Sequence, residues 1–452
     1  MAEPAPDSHR PNHRQTVREA LASGTLQQAR RALGALHPAE IASLLESTPS
    51  PERELIFELV DPDDEGEVLL HVNDEVRAGL IESMDEAQLV AATEGMDLDD
   101  LADIISDLPR AVTRQVLQSM DLQERQRLEA VLSYPEDSAG GLMNTDAVTV
   151  RPDVTIDVVL RYLRLRGRLP DHTDKLVVVD RYGRYRGVLP MQALLIQDPE
   201  LLVAEVMNAE LEPIPALDSA PQVARRFQDF DLISAPVIDE DDRVIGRITI
   251  DDVVDVIREQ GEHSLLSMAG LDEDEDMFAP VLTSFRRRGV WLGTNLLTAF
   301  AASAVVALFQ PTVEQVVALA VLMPIVASMG GIAGSQTLTL IIRALAMGQL
   351  HRSNVRRLIS REMAVGSLNG LAWAAVIGLV AATWFASPML GVVIALAIIV
   401  NLFVAAFSGV MLPLTLQRLG VDPALAGHVV LTTITDVVGF FVFLGLGTLI
   451  LL

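Results

Sequence analysis

Cysteine is absent from the 452 residues, which excludes disulfides, thiolate metal sites and cysteine nucleophiles. Basic residues are scarce: 34 Lys and Arg stand against 61 Asp and Glu, for a formal charge of −27. Nucleic-acid binding needs basic patches, so that partner class is not expected. No nucleophile–base constellation or phosphate-cradling loop appears, and the eight His are scattered, so an enzyme is not expected either. The first fifteen residues, MAEPAPDSHRPNHRQ, contain no apolar stretch. They read as a short disordered lead (1–15), not as a signal peptide.

The charge that is present is unevenly placed. Residues 280–452 hold nine Arg and four acids, so the first 279 residues carry a net −32 against +5 for the rest. An acidic soluble part repels anions and collects cations. Over residues 16–137 apolar residues recur at three and four, as in Leu26, Ala29 and Leu33, with breaks at His37-Pro38, Ser50-Pro51, Asp61-Pro62 and Leu108-Pro109. Short helices between turn signals predict a small all-α superhelix. Asp99 and Asp103 stand four apart, on one helical face, and repel unless a cation bridges them. The plainer reading is a first-turn pair facing the helix dipole, which suits Asp99 better than Asp103. Glu67 and the acids of DPDDEGE add further negative charge.

Two similar units follow, at 138–200 and 201–257, with Met143 and Met207 at equivalent starts. Each reads short strand, helix, two β-branched strands around a turn, then helix; VVVDRYGRYRGVL and PVIDEDDRVIGRI are the hairpin-like cores. This α/β pattern matches a tandem CBS pair. Asp252 and Asp255 lie three apart on one face of its last helix. A connecting helix is expected over 258–284, including the acidic run LDEDEDMF, and the basic SFRRRGVW follows at its end and leads into the membrane part.

Residues 285–452 read as a membrane domain with five spans, at about Val290–Phe309, Val316–Arg343, Met363–Phe385, Leu390–Leu416 and Ala424–Leu452. Basic residues mark the cytoplasmic side. Arg286–Arg288, the loop HRSNVRRLISR and Arg418 agree on one topology: N-terminal domains in the cytoplasm, C-terminus outside. The second span is expected to be interrupted, with Pro324 kinking it and Gly330, Gly331 and Gly334 loosening it before Ser335, Gln336 and Thr337. Freed carbonyls and the Gln336 amide would then line a cavity; close helix packing explains the same glycines equally well. The last span contains a single carboxylate, Asp436, with Thr432 and Thr433 one turn before it. Burying an ionised acid in hydrocarbon costs at least about 2.5 kcal/mol. Asp436 is therefore expected beside a water-filled cation path, or else paired with an Arg, for which Arg343 is the one candidate inside a span.

PEDSAGGLM, GGIAGSQTLTLIIRALA and RLGVDPALAGHVVLTTITDV together resemble the MgtE magnesium channel/transporter family, related to the animal solute-carrier magnesium transporters, over nearly the whole chain. The resemblance implies a homodimer in a cell (plasma or inner) membrane, with one pore on the two-fold axis and Asp436 holding hydrated Mg²⁺. It further implies that regulatory Mg²⁺ binds between cytosolic domains and closes the gate, at Glu67, Asp99, Asp103, Gly141, Asp231, Asp252, Asp255 and Asp422. Ser219, Pro221, Gln260 and His263 stand where well-known relatives have acids, which implies weaker closure or a need for more Mg²⁺. Ile332 and Ser335 replace two amides of the usual second-span motif. Gln192 and Ala193 replace the Arg-Asp pair of relatives that bind ATP between the CBS units, so nucleotide is not expected there. A membrane-bound Mg²⁺ sensor that conducts little, or a transporter of Co²⁺ or Mn²⁺, are the alternatives.

Overall fold

The structure is a computed structural model and describes residues 13–93, 96, 98–271, 276–350 and 354–452. Most of the expected disordered lead, the acids 272–275 and the loop residues 351–353 lie outside the described residues. The chain divides into two compact units, Met1–Glu262 with Asp274–Ala279, and His263–Glu273 with Pro280–Leu452.

The first unit begins with short helices: α1 (His13–Ala22), α2 (Leu26–Leu33), α3 (Pro38–Glu46), α4 (Ser50–Phe57), α5 (Glu65–His71), α6 (Asp74–Ser83), α7 (Glu86–Ala92), α8 (Leu98–Ile105), α9 (Arg110–Ser119) and α10 (Leu122–Val131). Their starts are written in the sequence as capping boxes, His37 with Glu40, Asp85 with Gln88 and Asp121 with Glu124, each satisfying otherwise orphaned backbone N–H groups. Helices pack on neighbours a few places along the chain, as in α3 on α4 and α5, α5 on α8 and α8 on α10. One continuous apolar core results, from Val17 to Leu128. Asp276 returns to this layer. Its carboxylate makes a buried ion pair with Arg53 at 2.9 Å, and its N–H donates to Glu75.

The two α/β repeats follow. The first is β1 (Thr149–Val150), α11 (Ile156–Arg166), β2 (Lys175–Val179), β3 (Tyr185–Pro190) and α12 (Met191–Ile196); α13 (Val203–Val206) leads into the second, β4 (Ile214–Pro215), α14 (Ala220–Phe230), β5 (Ser234–Ile238), β6 (Val244–Thr249) and α15 (Ile250–Met268). Each sheet has a parallel pair followed by an antiparallel hairpin. The repeat extends to single atoms. Asp180 accepts from the N–H groups of Tyr182 and Arg184, and Asp239 from those of Asp241 and Arg243, so both hairpins close on the same Asx turn.

The expected boundary at 200/201 separates stretches of chain but not cores. Asn144 pairs with Arg247 on β6, while Asn208 pairs with Val188 on β3, so each repeat lends its leading segment to the other. Met143 accordingly sits in the core of the second repeat and Val203 in that of the first. The connecting helix is not a separate element. α15 continues without a break to Met268, because Gly261 lowers helix propensity without supplying a stop.

The second unit carries α16 (Val281–Leu308), α17 (Gln310–Gln315), α18 (Val317–Ala346), α19 (Val355–Trp384), α20 (Pro388–Arg418) and α21 (Pro423–Leu451). Five of these are long and apolar enough to cross a membrane. At 1.5 Å per residue, 30 residues reach roughly 45 Å, beyond a hydrocarbon core of about 30 Å. The apolar windows at α16 and α19 thus under-read helices whose Arg-bearing ends continue past them.

The expected break in the second span is absent: α18 runs on through Pro324 and all three glycines. Two of those glycines are used for packing instead. A Cβ on Gly330 would collide with the Asn401 amide, and one on Gly334 would meet Leu431 at 3.0 Å. Small residues let helices approach closely in membranes. Gly378 and Gly391 do the same between α19 and α20, each set against the other's carbonyl. α20 packs on α18, α19 and α21 and forms the centre of the bundle. Asn401 on α20 is fully buried and donates to the Val326 carbonyl at 2.8 Å.

Gly330→Ala should therefore destabilise the bundle by about 1–3 kcal/mol through overpacking. Gly331→Ala, whose nearest neighbour is a Thr432 methyl at 4.0 Å, should not. Thermal unfolding of the two variants in detergent checks the pair, and equal midpoints would contradict this packing.

Candidate functional site

α21 presents two unlike faces because its side chains return every three to four residues. Leu431, Thr435 and Gly439 face inward and are buried. His428, Thr432 and Asp436, spaced by four, share another face. With Ala327, Ser328, Gly331, Ile332, Ser335, Gln336, Thr339 and Leu340 of α18 they line a groove of about 950 Å³. Asp436 is half-buried. Among the described residues it has no hydrogen bond or ion pair, and Arg343 is exposed on the last turn of α18. The Thr432 hydroxyl donates to the His428 carbonyl at 3.0 Å, leaving its oxygen lone pairs to accept.

Of the residues expected at the pore, Asp436, Thr432, Gly331 and Gln336 line this groove. Gly330 does not: it is buried against Asn401. Thr433 is half-buried off the groove, its hydroxyl donating to the Val429 carbonyl. Because α18 continues as helix through Gly330, Gly331 and Gly334, no unwound stretch exposes carbonyls there, and the polar lining comes from side chains. Asp422 caps α21, accepting from the Ala424 N–H at 2.9 Å, and its other oxygen meets His263 Nε2 at 3.1 Å.

A second acidic locus lies within the first unit. α8 carries Asp99 and Asp103, the turn after α10 carries Glu136, and α15 carries Asp251, Asp252 and Glu259. Burial, then Asp99 and Glu136, push the Asp103 carboxyl up to about 7, with Arg77 opposing. Burial, then Asp99 and Asp251, push Asp252 up to about 8, against two hydrogen bonds from Thr249. The Asn144 amide donates to Asp99 at 3.0 Å. No three His, Asp or Glu among the described residues are grouped closely enough to hold a metal directly.

The other expected regulatory residues have different surroundings. Glu67 and Asp231 are exposed, Asp231 as the left-handed cap of α14. Asp255 is exposed and paired with Arg258 at 3.4 Å, whereas Asp252 is largely covered and bonded to Thr249. Gly141 is buried, and a Cβ there would strike the Glu136 carbonyl at 2.5 Å. Ser219 and Pro221 start α14 as N-cap and first-turn proline. Two further acids do not stand out in the sequence. Glu136 is one letter of PEDSAGGLM, and Glu362 borders the third apolar window. Glu362 is buried on α19 and accepts from Thr337 on α18 at 3.5 Å. A lone acid at the edge of that window is the signal that could have found it.

Five helices long and apolar enough to span a membrane, a carboxylate in a polar groove with no ionic partner among the described residues, and an acidic N-terminal part with an α/β repeat pair define a multi-pass membrane protein with a soluble N-terminal part. Residues 323–446 match the family model described as MgtE, divalent cation transporter; 36–137 match the MgtE intracellular N domain; 139–197 and 203–259 match the CBS domain. The magnesium transporter MgtE of Thermus thermophilus is 33% identical over 442 residues, covering 96% of this chain and 98% of the relative. That of Bacillus subtilis is 26% identical over 428 residues, covering 95% of each. The crystal structure of the cytosolic domain of the Mg²⁺ channel MgtE in complex with ATP, 32% identical, covers 54% of this chain and 99% of its own, with a TM-score of 0.49. The chain belongs to the MgtE family.

A carboxyl raised in the folded state holds a proton that the unfolded chain has already lost. Stability in divalent-free buffer therefore falls as pH rises from the ordinary carboxylate range to about 8 and levels off above it. Amide exchange of α8 and α15 in the full chain should quicken between pH 5.5 and 8.5 beyond the intrinsic rate increase. Asp252→Asn should remove much of that slope, and a native profile that follows the intrinsic rate alone would contradict it.

Proposed function

We propose that this protein is a Mg²⁺ channel or transporter that admits magnesium along the α18–α21 groove, with Asp436 as the site where the hydrated ion rests. The observation that carries the reading is a carboxylate inside a spanning helix with polar neighbours and no ionic partner among the described residues. Such an acid is tolerable where water and cations reach it. Mg²⁺ surrenders its waters reluctantly, so a groove of hydroxyls, an amide and one acid suits an ion that keeps most of its shell. Inward movement of each charge down a membrane potential yields about 2.3 kcal/mol per 100 mV. Two copies facing one another would close the open side of the groove, with the soluble domains in the cytoplasm and the C-terminus outside.

Regulation follows from the acidic locus. At low cytosolic Mg²⁺ the repulsion among Asp99, Asp103, Asp252, Glu136 and Glu259 is relieved in part by Arg77, by hydrogen bonds from Asn144 and Thr249, and by protons. A hydrated divalent ion would relieve it more fully and draw α8 toward α15, closing the path. With Ser219, Pro221, Gln260 and His263 in place of acids, this closure needs more Mg²⁺ than in relatives that have them. Nucleotide at Gln192 and Ala193 is no part of the proposal.

Asp436→Ala, reconstituted as the full chain in liposomes, should lose at least nine-tenths of its Mg²⁺ influx, read by an internal Mg²⁺ dye, while keeping the native elution volume. Influx equal to native would overturn the role of Asp436. A native chain that binds Mg²⁺ but passes none would favour a sensor, and faster passage of Co²⁺ or Mn²⁺ in competition would favour another cargo.

A further inference from the structure

The groove holds a second ionisable side chain. His428 lies two turns before Asp436 on the same face of α21 and is exposed to the groove. Eight residues at 1.5 Å each put it roughly 12 Å from Asp436 along the helix, far enough for a separate ion. Its Nδ1 lies 3.2 Å from Ser335 Oγ on α18. In the tautomer in which Nδ1–H donates to that hydroxyl, the Nε2 lone pair is free. A ligating imidazole is typically fixed by a hydrogen bond on its other nitrogen. Thr432, one turn on, offers a hydroxyl oxygen, and Gln336 an amide. No ionisable side chain of α18 lines the groove among the described residues, and Asp436 is its only other ionisable group there.

Imidazole discriminates between cations. Mg²⁺ prefers oxygen and holds its water, whereas Co²⁺, Ni²⁺ and Zn²⁺ bind nitrogen with affinities rising along the first row. We propose that His428 forms a second cation station, an imidazole ligand on which first-row transition-metal ions lodge and interrupt the passage of Mg²⁺. The proposal rests on reading the groove as the cation path. It makes His428 a specificity-determining residue that slows nitrogen-seeking ions while oxygen-seeking ions pass.

The test uses the full chain with its purification tag removed. In liposomes with Mg²⁺ as the transported ion, Ni²⁺ should halve the influx at a concentration at least tenfold lower for the native chain than for His428→Asn, each scaled to its own uninhibited flux. His428→Gln should behave like His428→Asn, and inhibition by Ca²⁺ should shift by less than twofold. Titration calorimetry in detergent gives an arm independent of flux: the native chain should bind Ni²⁺ at a site that both variants lack. Equal Ni²⁺ inhibition in native and variants, or Ni²⁺ binding unchanged by the substitutions, would overturn the proposal. Absence of Mg²⁺ flux in the native chain would count against the transport reading, and the Ni²⁺ binding arm would still decide this site.

Discussion

A carboxylate in a spanning helix must be solvated by something, and the membrane bundle is arranged around that requirement. Asp436 has no ionic partner among the described residues, so water must reach it, and water needs a polar surface. α21 supplies one at intervals of four residues, and α18 supplies its counterpart through Ser328, Ser335, Gln336 and Thr339. The opposite face of α21 must be dry for the helix to be held in place. Leu431 seats against Gly334, and Gly439 lies against the Asn401 amide. Asn401 also takes the space left by Gly330, so one buried amide sets the spacing of three helices. The groove exists because glycines on one side of it remove bulk while hydroxyls on the other keep it wet.

The soluble unit meets the same difficulty with other means. Asp103 and Asp252 are crowded by like charge and by burial, and both hold a proton well above the carboxylate range. In the groove the acid stands alone and is open to solution; between α8 and α15 acids stand together. A solitary acid favours a passing cation, whereas a cluster creates a free-energy gap between protonated, cation-bound and empty states. That gap can act on structure, because the acids sit on separate elements. The same residue type therefore stands alone in one unit and crowded in the other.

Much of this was legible in the sequence where a pattern was repeated. The α/β repeats announce themselves twice, down to the Asp180 and Asp239 turns, and long apolar windows mark five spans. Periodicity says which residues share a face but not which neighbour that face meets. It placed Asp252 and Asp255 together, although Asp255 turns to Arg258. It could not show that the leading segments of the repeats are exchanged, because Asn144 and Asn208 find partners about 100 and 20 residues away in opposite directions. The glycines of α18 were ambiguous for a related reason. Glycine weakens a helix in isolation but permits close approach in a bundle, and only the position of Asn401 decides between them.

The contact between His263 and Asp422 shows how a substitution changes what holds two elements together. By resemblance, an acid stands at this position in well-known relatives, and two carboxylates facing one another need a cation between them. Here the imidazole supplies the hydrogen bond itself, at 3.1 Å, while the other oxygen of Asp422 caps α21. A donor–acceptor pair is satisfied without any ion, so the end of α15 and the start of α21 are joined by a bond that does not depend on divalent-ion concentration. The acids that remain crowded are Asp99, Asp103 and Asp252 with Glu136 and Glu259. Like-charge crowding is thus concentrated between α8 and α15, where burial and neighbouring acids raise Asp103 and Asp252, and at His263 and Asp422 a hydrogen bond takes its place.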